Sequence, residues 1–229
     1  MRKLILAAVA IPLALGLMAG PALATEPQPI LPGAVHADGT WSYQDGHTEH
    51  HTADYGLIVA VGNGSITVVR SDLVRVTLPL TDTACIRVGG FPGSIEDLRR
   101  GMRAVVFEQV ADDGTQTTRV VRAGTPLVRW GQPGCGLFSG ALHGDVTVTY
   151  RDGSTRSFSV DRGQVDSVDG GDILMTRPDG SQVTTSADQD TRFHGVRSLG
   201  DLVGRNALVI SEVVAGALIA KTVLAMPEA

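Results

Sequence analysis

From residue 33 onward, apolar and polar residues alternate with a period of two, the spacing of strands that bury one face. Around Arg151-Asp152-Gly153 the alternation also selects a register. A two-residue Asp-Gly turn would set Val146, Val148 and Tyr150 opposite Ser159, Ser157 and Thr155. A three-residue loop with Gly153 in the left-handed region sets Val146 opposite Phe158 and Tyr150 opposite Ser154. Only the second arrangement gathers the apolar residues on one face, because a slip of one residue sends every side chain to the other side. The same logic places Met175 opposite Val183 around Arg177-Pro178-Asp179-Gly180-Ser181. It places Ile66 and Val68 opposite Leu78 and Val76 around Ser71-Asp72-Leu73.

The alternation repeats. Residues 33–83 align without a gap on residues 140–190 at an offset of 107, with 18 of 51 positions identical. GAVH answers GALH, Tyr43-Gln44-Asp45-Gly46 answers Tyr150-Arg151-Asp152-Gly153, and Asp54, Gly56, Ile66, Asp72 and Val76 return as Asp161, Gly163, Ile173, Asp179 and Val183. The chain is a tandem duplication, which governs every further reading of its architecture. Beyond the aligned block each copy has one short helical candidate, Ser94 to Leu98 before Gly101 and Ser198 to Leu202, with capping-box character. Each then closes with two strands: residues 104–110 and 117–122 in the first copy, 207–214 and 218–224 in the second. Glu212, Lys221 and Gly216 interrupt the last apolar stretch below the length of a membrane span, so it reads as buried strands.

A copy thus holds about six strands and no long helix, and an open sheet of that size leaves unpaired edges. Closure removes them. The expected fold is all-β: two tandem small closed or nearly closed β-barrels, residues 33–124 and 140–229, joined by a linker over 125–139. In that linker Trp130, Leu137 and Phe138 are candidates to pack between the barrels.

Gly56 before Ile58-Val59-Ala60-Val61, Ser65-Ile66-Thr67-Val68, and Ile95 to Gly101 before Ala104-Val105-Val106 form an ordered pattern. It recurs through Gly163, Asp172 to Met175 and Leu199 to Leu202. This pattern resembles the extracytoplasmic bacterial domains grouped as the domain of unknown function 5666 family. The resemblance covers most of both copies, implies a small β-barrel and carries no catalytic residue with it. The leading hairpins, 38–52 and 145–159, are additions to that pattern.

Residues 1–24 have the form of an export signal: Arg2 and Lys3, an apolar run from Leu4 to Met18, and Ala22-Leu23-Ala24 for cleavage. The apolar run is shorter than the ~20 residues of a membrane helix, so no stable membrane span is expected after cleavage. Residues 25–32 form a Pro-rich leader. Removing Arg2 and Lys3 leaves 17 basic against 24 acidic residues and takes the net charge from −5 to −7. That charge, with aromatics at 4% of residues, argues against nucleic acid as a partner. Cys85 and Cys135 are the only cysteines, and an oxidising compartment favours a structural disulfide between them.

Candidate chemistry is sparse. His47, Glu49 and His51 share one face of a strand, and imidazole with carboxylate is a donor set for zinc or copper. With a rise of about 3.3 Å per residue the two histidines lie ~13 Å apart along the strand, so Glu49 with only one of them would need ligands from elsewhere. The competing expectation is a polar, solvated hairpin. His36 and His143 recur beside the same turns and read as repeated hydrogen-bonding residues. The acidic stretches at 166–172 and 188–190 lack a calcium-loop spacing and read as turns. No G-x-S-x-G, Cys–His pair or phosphate-cradling loop is present, and no cofactor is implied. The sequence therefore points to an exported, non-enzymatic protein of the cell envelope or extracellular space whose ligand is unspecified. The alternatives are an extracytoplasmic metal-binding protein and a hydrolase without a recognisable motif.

Overall fold

The computed structural model describes residues 33–124, 135, 138 and 140–226. The signal and leader expectations, together with Trp130 and Leu137 of the linker, lie outside the described residues. The first copy comprises β1 (Ala34–Tyr43), β2 (Thr48–Gly62), β3 (Ser65–Arg70), β4 (Arg75–Pro79), β5 (Cys85–Val88), β6 (Phe91–Gly93), β7 (Arg103–Val110) and β8 (Gln116–Ala123). The second comprises β9 (Ala141–Tyr150), β10 (Thr155–Asp169), β11 (Asp172–Thr176), β12 (Gln182–His194), β13 (Asn206–Val214) and β14 (Ala217–Ala225). Each copy also has one short 3-10 turn, Ile95–Asp97 and Leu199–Leu202, closed by the capping boxes of Ser94 with Asp97 and Ser198 with Asp201.

The hairpins take the registers that the apolar pattern requires. Val146 faces Phe158, Met175 faces Val183, and Ile66 and Val68 face Leu78 and Val76. The glycines shared by the copies, Gly56 and Gly163, mark a close approach: a Cβ there would collide with the carbonyl oxygen of Val69 or Thr176.

The two-barrel expectation needs correction. The fourteen described strands form one mixed sheet, in the order β11-β12-β14-β13-β10-β9-β1-β2-β7-β8-β5-β6, with β3 and β4 branching from β2. The union is made by β1 and β9, which pair antiparallel along almost their whole length. Each leading hairpin would otherwise expose the N–H and C=O groups of a ten-residue edge, and pairing the two edges satisfies both.

This pairing has an internal symmetry. His36 faces Thr149, and Ser42 faces His143. Those pairs exchange under the offset of 107. Gly39 faces Val146, its own counterpart, so a local twofold axis passes through that pair. The copies meet as the subunits of an isologous dimer do, through the same strand on both sides.

Away from the axis, each copy has its own core. One gathers Ile58, Ile66, Val68, Leu78, Val106 and Val121, and the other Val165, Ile173, Met175, Leu202, Val209 and Val223. Burying each such side chain contributes roughly 1.5–3 kcal/mol. In the second copy β10 pairs with both β11 and β13, so the run β10-β11-β12-β14-β13 returns on itself. The first copy splits the equivalent of β12 into β4 and β5, and the break is spanned by the Thr118 hydroxyl donating to the Pro79 carbonyl. Among the described residues no helix is long and apolar enough to cross a membrane.

Candidate functional site

Strand alternation distributes the polar residues of the central hairpins over two faces. Thr52 and Asp54 of β2 lie on the face that leads into the first core, as Ser159 and Asp161 of β10 do for the second. Glu49 and His51 lie on the opposite face, alongside Trp41 and Phe107.

On the inward face the two copies repeat one network. In the first, His36 Nδ1 lies 3.0 Å from Asp54 Oδ1, and Arg70 Nη1 donates to the same oxygen at 3.1 Å. Arg70 also clasps Asp72 through Nε at 3.1 Å and Nη2 at 2.6 Å. In the second, His143 Nδ1 lies 2.9 Å from Asp161 Oδ1, Arg177 Nε donates to that oxygen at 2.8 Å, and the Ser159 hydroxyl donates to Oδ2 at 2.6 Å. Here Arg177 turns its remaining donor to Ser181. Burial works to raise the Asp161 pKa, and the hydrogen bonds from His143, Ser159 and Arg177 outweigh it, so the carboxyl stays below its ordinary range. The Asp161 carboxylate in turn holds the His143 imidazole above its usual value, against the effect of burial. These residues tie β1 to β2 to the β3–β4 turn, and β9 to β10 to the β11–β12 turn.

One member has no counterpart. Glu108, opposite Thr52 on β7, is 1% exposed, and the equivalent position in the second copy is Ser211. The Thr52 hydroxyl donates to Oε2 at 3.4 Å, while Oε1 has no hydrogen-bond partner. Burial, followed by the charge of Asp54, pushes the Glu108 carboxyl up to about 7, despite the opposing pull of Thr52 and His36.

On the outward face, Glu49 gathers the residues singled out for a metal. Its Oε2 accepts from the Tyr43 hydroxyl at 2.7 Å and lies 2.8 Å from His51 Nε2, while Oε1 accepts from Gln109 Nε2 at 3.2 Å and lies 4.0 Å from His47 Nε2. His47 itself bonds Asp45 and stacks on Tyr43. The solvated-hairpin expectation suits His47 and fails for His51, which is 5% exposed with Nδ1 3.2 Å from the Glu108 carbonyl oxygen. Phe138 packs edge-on against His51 and Phe107, and stacks on Trp41 with ring centroids 3.9 Å apart. Among the described residues no group of three His, Cys, Asp or Glu side chains is arranged to hold a metal ion. The turn expectation holds for Asp188, which accepts from the Asp190 amide at an irregularity within β12, and not for Asp166, which lies within β10 and accepts from the Thr176 hydroxyl of β11.

Cys85 and Cys135 are joined in a disulfide across 50 residues of chain, which ties Cys135 to the start of β5. The sequence reading singled out the histidines of the repeated network and passed over Arg70 and Arg177. The signal was there: His, Asp and Arg are identical in the two copies at the constant offset. A scan against protein-family models finds no match to this chain, and neither does a search of curated proteins.

Proposed function

We propose that this protein is an exported, non-enzymatic module that binds or organises material in the cell envelope or extracellular space. One observation carries the reading. The polar side chains shared by both copies, His36 and His143, Asp54 and Asp161, Arg70 and Arg177, are bound to one another beside the cores. A catalytic constellation holds its groups toward a site where a reacting atom fits; here they fasten strands. Duplication then serves a sheet that joins two cores and presents two broad faces. The export-signal form of residues 1–24 supports an extracytoplasmic address, and the resemblance of the strand and turn pattern to domain of unknown function 5666 agrees with it.

Two measurements test the reading: fractionation of the native host, and a broad substrate screen with activity-based probes. Recovery outside the cytoplasm with no turnover is expected. Turnover abolished by Asp161→Asn without loss of fold would replace this reading with a hydrolase.

A second reading, metal binding, is favoured by the contacts of Glu49 with both His47 and His51. Metal analysis of the native protein beside a variant with His47, Glu49 and His51 replaced by Ala decides it. A stoichiometric ion lost in that variant would establish the metal reading.

A further inference from the structure

Trp41 lies flat over Gly144 of the neighbouring strand, where an added Cβ would stand 2.5 Å from the ring, and Phe138 covers its other face. The stacked pair is taller than the sheet beside it. On its β10–β13 side this leaves a hollow of about 230 Å³, walled by Trp41, Phe138, Leu142, Val160 and Leu208. The volume corresponds to roughly eight water-sized units. One permanent charge enters it. Arg162 of β10, directly opposite Leu208 of β13, lines the hollow half-buried, and among the described residues its guanidinium has no hydrogen-bond or ion-pair partner. Among the described residues no carboxylate lines the hollow, and the other titratable side chain there is His143. Asp161, adjacent in sequence, points to the opposite face and is engaged by His143 and Arg177. At the equivalent position the first copy has Tyr55, so the cation belongs to the second copy alone.

Apolar walls with the Arg162 guanidinium, the His143 imidazole beside it and, among the described residues, no carboxylate are complementary to an amphiphile with one anionic end. We infer that the hollow beside Trp41 and Phe138 binds a small monocarboxylate, its apolar body against Leu142, Val160 and Leu208 and its carboxylate paired with Arg162. The inference deepens the reading of this protein as a binding module and rests on it for the absence of turnover. The carboxylate meets the planar donors of Arg162, and the hydrocarbon displaces water from the apolar walls.

Titration of the full chain with hexanoate tests this, followed by calorimetry and by the Arg162 Nε–H resonance, with methyl hexanoate and hexylamine as neutral and cationic comparisons. Hexanoate is expected to bind and to shift that resonance, with the ester and the amine at least ten-fold weaker. Arg162→Gln is expected to weaken hexanoate at least ten-fold with an unchanged melting temperature. Leu208→Trp, which fills the hollow and keeps the cation, should also abolish binding. Equal binding of acid and ester, undiminished binding by Arg162→Gln, or no binding of hexanoate would overturn the inference and leave the proposed function standing. Consumption of the acid would uphold the site and overturn the non-enzymatic reading.

Discussion

Replacing Glu108 with Gln should make the protein more stable at neutral and alkaline pH and leave it nearly unchanged in acid. The carboxyl titrates near 7 in the fold against an ordinary value of 4.5, because burial and the neighbouring Asp54 oppose its ionisation. Below pH 4.5 the group is neutral in the folded and the unfolded chain, so it contributes no penalty. Between pH 4.5 and 7 the unfolded chain gives up the proton while the fold retains it, and stability falls as pH rises. Above about 7 both states are ionised and the loss is complete. At 1.36 kcal/mol per unit, the gap between 4.5 and 7 amounts to about 3 kcal/mol. Glutamine keeps the shape and the acceptor for Thr52 and cannot ionise. Urea unfolding of parent and Glu108→Gln between pH 4.5 and 8.5 measures the difference, and every titrating group that does not feel the Glu108 charge cancels in the comparison. The Gln variant should gain about 2–3 kcal/mol at pH 8 and lie within about 1 kcal/mol of the parent at pH 4.5. A difference that does not vary with pH would refute the assignment of a strained, buried carboxyl to Glu108.

Asp161→Asn should destabilise by about 3–5 kcal/mol, since it strips His143 and Arg177 of a buried carboxylate partner; chemical denaturation at pH 7 reads the loss. Replacing Cys85 and Cys135 together with Ser reopens a 50-residue loop. It should cost up to about 4 kcal/mol in calorimetry, and reductant should reproduce the loss in the parent. Gly144→Ala puts a methyl group into the Trp41 ring, so it should shift tryptophan emission and destabilise by about 1–3 kcal/mol.

Hairpin registers were legible because each has one apolar face. Val146 opposite Phe158 is the only arrangement around Arg151-Asp152-Gly153 that keeps oil off the polar side. The joining of β1 to β9 had no such signal. The strands meet through Asp38 and Thr147, Thr40 and Asp145, and Gly39 and Val146, pairs whose polar members give no hint of a shared partner. The matched His–Asp–Arg residues could be found by their identity in both copies. Glu108 could not: the second copy has Ser211 there, and nothing local distinguishes a buried glutamate on β7 from a solvated one. The hollow at Arg162 was equally hidden, because Phe138 and Trp41 are nearly a hundred residues apart in the chain and meet only in the fold.

Backbone NOEs across the local twofold axis test the single-sheet account most directly. Contacts linking Gly39 with Val146, His36 with Thr149 and Ser42 with His143 are expected, with slow amide exchange along both strands. If those contacts are missing and the amides of β1 and β9 exchange at the rate of open edges, the copies are independent and the account fails.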